Sequence, residues 1–513
     1  MRAEEFEMKS CSRQLYSRGS ITVYAALMMC ALVPLFFAAI LSVKVKAGRM
    51  QAANSVDQSL FSLMAHYDRQ LVRDFDLFFL NAGSGGSDPD IGSCIRQMED
   101  AMDYILKPNK GLILLGGKNL LKLERESSAV TAYTLATDAG GIPFEAQAVQ
   151  AMKESALLDG ISRLRDKLTR REQVEQAGSE YVHSDIMGNY QTVANASKEA
   201  EEERRRQEEE AAERGEELPA EETEVVVPEG FVNPIPALFR LYRRKVMDLV
   251  VPDPGNISPK AVDGESLVSK RTLAKGFGII DATGSAAGMD NMCYIAWIIG
   301  HFGSYASPKE QCGLSYQLEY LLKGKLKDRD NLSAVVGDLM KVRQAVNMLF
   351  LFTDPEKSSE LTSLGAIIAT VMMVPVLEPI VKTILAALWG YVESLVDVRA
   401  LLEGKKVAIV KNRESWQTDV EDLAASGGSL ANLTKDIPGG LDYAEYLGTF
   451  ILVAKRGTLT PRAMDLVEST MRCKGREDFR LDACIASLSV EMNIRSEGRV
   501  TFPVEASISY LDL

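Results

Sequence analysis

The residues whose types could do chemistry are few and scattered along the chain. Asp281, Thr283 and Ser285 alternate in one short segment that follows the apolar run from Phe277 to Ile280. A carboxylate and two hydroxyls at every second position project to one side of an extended segment, and hard oxygens so placed suit a divalent cation such as Mg²⁺. Thr353 and Asp354, after the run LFLF, would be the source of further oxygens. Against this, the residues leading into Thr353 have the period of a helix rather than a strand, and a glycine-rich loop through Gly284 and Gly288 is the simpler account. No metal site is therefore favoured, and no cofactor is expected. The three histidines, His66, His183 and His301, lie on separate segments with no partner at metal-ligand spacing, so each is expected on a helix surface or in the core. GxSxG, HExxH and Walker A patterns do not occur, and no catalytic residue is singled out. The chain is not expected to be an enzyme.

Seven cysteines complete the inventory. Cys11 precedes a long apolar segment, Cys30 lies inside it, and Cys94, Cys293, Cys312, Cys473 and Cys484 follow. An odd count gives no closed disulfide framework. Cys473 with Cys484, and Cys293 with Cys312, are close enough in sequence to pair in an oxidising compartment. The favoured expectation is five small buried thiols.

The elements that would carry these residues begin with the apolar segment. Ile21 to Val43 are twenty-three positions without a charge, interrupted only by Pro34. As a helix they rise roughly 34 Å, enough to cross a hydrocarbon core of about 30 Å. Arg2, Lys9, Arg13 and Arg18 precede the segment and Lys44, Lys46 and Arg49 follow it, a narrow positive-inside balance for a cytoplasmic N-terminus. Residues 1–20 then read as a short cytoplasmic leader-like stretch and 21–43 as a transmembrane helix. Val56, Leu60, Leu63, Met64, Tyr67 and Leu71 keep a helical stripe, so 44–82 is expected to continue the helix to about Leu80. Such a stripe must pack on the protein's own body or on another subunit.

Residues 83–197 read as a mixed module, with strands at Leu112–Leu115 and Ala129–Thr137 and a helix stepping from Ala146 to Leu168. Lys198 to Glu224 hold thirteen Glu against five Lys and Arg, which concentrates most of the net charge of −13 in a helical or disordered spacer, 198–227. The remainder carries no basic footprint for nucleic acid. Residues 228–513 read as a helix-rich half. Leu332 to Phe350 form an amphipathic helix capped by Asp330 or Asn331, and Leu361–Leu377 belong to a buried helix pair rather than a second span. Asp442 and Glu445 form a capping box, Thr460-Pro461 opens another helix, and two alternating runs, Leu488–Ile494 and Val500–Tyr510, form an antiparallel hairpin. The fold class is α+β.

Gly19-Ser20-Ile21-Thr22-Val23, opening an apolar helix that continues outward, resembles the class III signal of type IV pilins, and most nearly the Tad (Flp) branch with its TadE- and TadG-type minor pilins. That resemblance places a cleavage point between Gly19 and Ser20. The glutamate that such pilins carry at the fifth mature position is here Tyr24. Over longer stretches the chain resembles uncharacterised single-pass proteins of Gram-positive bacteria that accompany Tad pilus genes. The stretches are Gly19 to Leu80, FEAQAVQAMK from Phe144, Leu318 to Phe350, ESLVDVRALLEGKKVAIVK from Glu393 and GRVTFPVEASISY from Gly498. The Asp281 triplet resembles the metal-ion adhesion site of von Willebrand factor A domains. These resemblances imply a structural component of a Tad-type pilus or secretion apparatus, anchored in the cell membrane by one helix. Its body would be extracytoplasmic, and its partners would be lipid and envelope or pilus-apparatus proteins. A metal-dependent surface adhesin and a cryptic envelope hydrolase are the alternatives.

Overall fold

The computed structural model describes residues 17–83, 88–106, 121–154, 185–214, 225–278, 288–309, 313–419, 432–496 and 500–511. The chain opens with one helix, α1 (Ser17–Met64), with Pro34 inside it. Its side chains from Ile21 to Val43 lie in the open, with Ile21, Phe36 and Phe37 all more than 60% exposed. A second, shorter helical stretch, Pro375–Leu402, is also long and apolar enough to cross a membrane, but 78% of its most apolar part is buried in the protein, against none for α1. Among the described residues only α1 is both long and apolar enough to cross a membrane and uncovered by the rest of the chain.

The helix does not run on to Leu80. It ends at Met64, and a separate short helix, α2 (Arg69–Phe75), follows. The cause is Asp68, whose Oδ1 accepts from the N–H groups of Gln70 and Leu71 while its own N–H donates to Phe79 O at 2.8 Å. An aspartate that caps a new helix cannot also continue the old one. Asp76, left-handed at φ 56°, closes α2 and turns the chain into β1 (Leu80–Asn81).

The stripe on the end of α1 packs on the protein's own body. Ala52, Val56, Leu60, Leu63 and Met64 are buried against α3 (Ile91–Leu106) and one face of a small antiparallel sheet. In that sheet β3 (Cys484–Ser496) is central. β2 (Leu123–Leu135) takes one edge, while β4 (Thr501–Ser509) and β1 share the other. The alternation of Leu488, Val490, Met492 and Ile494 sets one face inward, and the register pairs Ile494 with Phe502 and Val490 with Ala506. The hairpin thus forms as the sequence pattern requires. Its other partner, β2, lies some 360 residues earlier, so the stretches 83–197 and 228–513 share one sheet rather than forming separate units. Leu112–Leu115 and the continuation of the Ala146 helix beyond Glu154 fall outside the described residues.

The larger core is helical. α4 (Ile142–Glu154) and α5 (Ile186–Arg214) lead to α6 (Ile235–Tyr242), α7 (Val246–Val250), α8 (Gly288–His301) and α9 (Gln317–Lys323). Within the acidic stretch the described part, to Arg214, is helix: Arg214 pairs with Glu210 as the spacing requires, while Arg204 and Arg205 reach forward to Glu208 and Glu209. α10 (Asp328–Thr353) starts earlier than Asp330 or Asn331 would allow as caps, since Lys327 is the cap residue and Asn331 is buried, clasping Lys325 through both its N–H and its carbonyl. Asp354 and Pro355 break the rod, and α11 (Pro355–Val371) continues it.

α12 (Glu378–Leu402) returns antiparallel, pairing Lys382 with Gly365, Gly390 with Met348 and Asp397 with Arg343. At Gly390 a Cβ would stand 3.0 Å from Met348 Cγ, so glycine sets how closely the two helices approach. α13 (Tyr443–Val453) has the complete Asp442/Glu445 capping box. α14 (Arg456–Cys473) begins a turn before Thr460-Pro461 and carries Pro461 within it. The fold is α+β, with a small sheet under the end of α1 and a helical body behind it.

Candidate functional site

Asp281, Thr283 and Ser285 lie outside the described residues, as does His183. The oxygens expected to join the triplet are committed elsewhere: Thr353 Oγ1 donates to Leu349 O, and Asp354 caps α11 through the N–H groups of Glu356 and Lys357 and pairs with Arg413 at 3.0 Å. Among the described residues no three His, Cys, Asp or Glu side chains converge as a metal cage would need. His66 bonds Ser62 O, and His301 sits on the aromatic cluster of Phe75, Trp297 and Phe302, with Nε2 3.3 Å from Asp76. Burial lowers the His301 pKa. Gly19 and Ser20 fall in the first turns of α1.

Three of the five cysteines after the apolar segment are the small buried thiols expected, and Cys473 is the departure. Cys94, Cys293 and Cys484 are buried free thiols, which removes both the Cys473–Cys484 and the Cys293–Cys312 pairings. Cys473 is nonetheless held in a disulfide, its partner lying outside the described residues.

The densest polar chemistry lies where α10 and α12 cross. Arg343 and Asn347 stand one turn apart on α10, as Glu393 and Asp397 do on α12, so each helix presents a polar pair to the other. The loop after α12 brings Lys411, Gln417 and Thr418 into the same space. Arg343 grips Asp397 Oδ2 through Nε at 3.0 Å and Nη2 at 2.9 Å, and donates also to Ala408 O and Tyr446 Oη. Lys411 Nζ bridges Glu393 and Asp397, 2.8 Å from the latter. Glu393 Oε2 takes the N–H and the hydroxyl of Thr418. Trp389 and Trp416 cover the cluster, each donating its indole N–H to Thr418. All four charged side chains are at most 1% exposed.

Charges so far from water survive only as a set, and two cations with two carboxylates are neutral together. Burial alone would raise the Asp397 pKa; Arg343 and Lys411 outweigh it and hold Asp397 below the usual carboxylate range. Burial and the neighbouring Asp397 push Glu393 up despite Lys411. Every carboxylate oxygen is already taken by donors, so the cluster ties α10, α12 and the loop after α12 together. Sequence reading passed over it, although charges at 393 and 397 within an apolar helix, with Arg343 inside an apolar stripe, carry the signal.

A second buried network joins the two cores. Arg271 reaches Glu468 and Asp482, and Arg472 and Arg480 complete it, tying the loop before α8 to α14 and to the start of β3. Arg476 and Lys474 pair with Asp68 and Asp74 around α2.

One family model matches the chain: residues 226–496, just over half its length, fit the family of unknown function DUF5702. The chain belongs to the DUF5702 family. The DUF5702 stretch contains the whole Arg343–Asp397–Lys411–Glu393 cluster and ends with the last residue of β3, while β2, β4 and α1 lie outside it. No curated protein and no solved structure matches the chain.

Proposed function

We propose that this protein is a membrane-anchored structural component of a Tad-type pilus or secretion apparatus, acting through packing surfaces rather than catalysis. The observation that carries the reading is α1. From Ile21 to Val43 it is uncharged and uncovered, and from Gly48 onward it is built into the body. That arrangement suits a body seated directly on a bilayer. The pilin-like Gly19-Ser20 junction and the long stretches resembling proteins of Tad loci supply the context. The disulfide at Cys473 favours an oxidising, extracytoplasmic compartment for the body. Tyr24 stands where a filament subunit would carry a carboxylate to pair with a neighbour's amino group in hydrocarbon, and this favours a resident accessory subunit over a filament protein.

Shearing decides between those two roles. When pili are sheared from cells the chain should remain with the membranes. Recovery of most of it in the filament fraction, beginning at Ser20, would overturn the accessory role.

A further inference from the structure

β4 leaves one edge of the sheet open: β3 holds its inner edge, and among the described residues no strand pairs with its outer one. The ladder fixes which groups face out. Ser496 N–H donates to Val500 O and Tyr510 N–H to Ala486 O, so the even-numbered residues between them bond inward to β3. Thr501, Pro503, Glu505, Ser507 and Ser509 therefore turn their backbone groups outward. Pro503 has no N–H and blunts the first half of the edge, a usual protection of free strands. The second half has no such protection. There a cleft of about 630 Å³ opens between β4 and α1, lined by Asp57, Gln58, Phe61, Ser507 and Ile508. Phe61 is 57% exposed beside it.

Two contacts give the direction of this edge. The Phe502 ring lies 3.0 Å from where a Gly48 Cβ would be, and Tyr510 Oη donates to Met64 O at 2.5 Å. From Gly48 to Met64 a helix rises about 24 Å, and from Phe502 to Tyr510 a strand covers about 26 Å. The two elements therefore run side by side in the same sense. If α1 is the anchor, β4 points straight away from the membrane. Two copies in one membrane then have parallel β4 strands, which excludes antiparallel pairing of β4 with itself. A two-fold axis along the membrane normal would set each residue level with its own copy, which the staggered parallel ladder does not permit.

We propose that the outer edge of β4 from Glu505 to Ser509 is a docking site for an extended, basic β-segment of a different protein. Its alternate backbone groups complete the ladder, and an apolar side chain enters the cleft beside Phe61 and Ile508. Asp57 and Glu505, both exposed and without an ion pair among the described residues, flank the edge and select a segment bearing Lys or Arg. The choice of a foreign segment rests on α1 being the membrane anchor.

The test uses the full chain in nanodiscs of zwitterionic lipid. The probe is a fluorescein-labelled twelve-residue peptide alternating valine with threonine and lysine. Saturable anisotropy is expected, at least tenfold weaker for the same peptide N-methylated at every second amide and for one with glutamate in place of lysine. Ser507→Pro should weaken binding at least tenfold, and Asp57→Lys several-fold, while Thr501→Ala leaves it unchanged. Circular dichroism melting checks that Ser507→Pro folds, and Asp57→Lys, outside the sheet, tests the site independently. Equal binding of the N-methylated peptide overturns the proposal, as does efficient cross-linking of Ser507→Cys chains to one another in membranes. Carbonate extraction of the same membranes tests the anchor separately: release of the chain removes the argument against self-pairing, whatever the peptide does.

Discussion

Asp397→Asn and Arg343→Met remove opposite members of the same buried pair, and the structure makes their costs unequal. Without Asp397, Arg343 and Lys411 face Glu393 alone, and one cation is left uncompensated at no more than 1% exposure. Breaking a buried pair in this way costs about 3–5 kcal/mol, a large part of the 5–15 kcal/mol or so that holds an ordinary domain folded. Without Arg343, Asp397 keeps Lys411 and Asn347. The surplus negative charge can also be removed by protonating Glu393, which burial and Asp397 already push up. Arg343→Met should therefore cost nearer 2 kcal/mol or so at pH 7, and less as the pH falls and Glu393 takes up its proton. In the double variant Lys411 and Glu393 remain as a neutral pair, so its cost should lie close to that of Arg343→Met alone. Urea unfolding of the full chain in detergent reads this directly, because Trp389 and Trp416 stand on the cluster and report its loss through their fluorescence. Additivity of the two single costs to within about 0.5 kcal/mol, or a cost below 1 kcal/mol or so for Asp397→Asn, would refute the reasoning.

Glu319 is fully buried, accepts from Tyr305 N–H and the Tyr443 hydroxyl, and burial pushes its pKa up to about 7. The folded state therefore binds a proton that the unfolded state releases above its own pKa, so the stability it contributes is present at low pH and is lost as pH rises toward 7. Integrated over that shift the loss is about 3 kcal/mol; Glu319→Gln should flatten stability between pH 5 and 7 in calorimetry, and an unchanged slope would remove Glu319 as its source. Gly48→Leu should force α1 off the Phe502 ring at a cost of about 1–3 kcal/mol, read as a lowered urea midpoint, whereas Asn54→Leu on the exposed face of α1 should leave it unmoved. Alkylation without reductant should leave Cys473 unlabelled, and reduction should lower stability by about 2–4 kcal/mol; full labelling in the oxidised protein would contradict the disulfide. Protease added to wall-stripped cells should cut at the exposed Arg204–Arg206 or Arg214, and protection until permeabilisation would place the body in the cytoplasm.

What could be read in the sequence was what neighbouring residues decide between themselves. The Asp442/Glu445 box and the alternation across the hairpin need no knowledge of the rest of the chain, and both formed as the pattern required. The end of α1 was missed because Asp68 is an acceptable helix residue until Phe79 O claims its N–H and Arg476 its carboxylate, contacts from eleven and about four hundred residues away. β2 was visible as a strand but not as the partner of β3, since register with a distant strand leaves no local mark. The charged cluster was hidden for a related reason. Nothing local marks Glu393 and Asp397 as buried, and it is Arg343, from about fifty residues earlier, and Lys411 that compensate them there.

The pairing of β2 with β3 also sets a timetable. A chain made at about 5–20 residues per second finishes β2 tens of seconds before β3 exists, and the Ala52–Met64 face of α1 must wait still longer for Phe502 and Tyr510. Throughout that interval an apolar helix face and an open strand edge are presented together, the combination that invites pairing with the wrong chain. The sheet and the end of α1 are thus the last to close, and neighbouring copies are most exposed to one another just before each is complete.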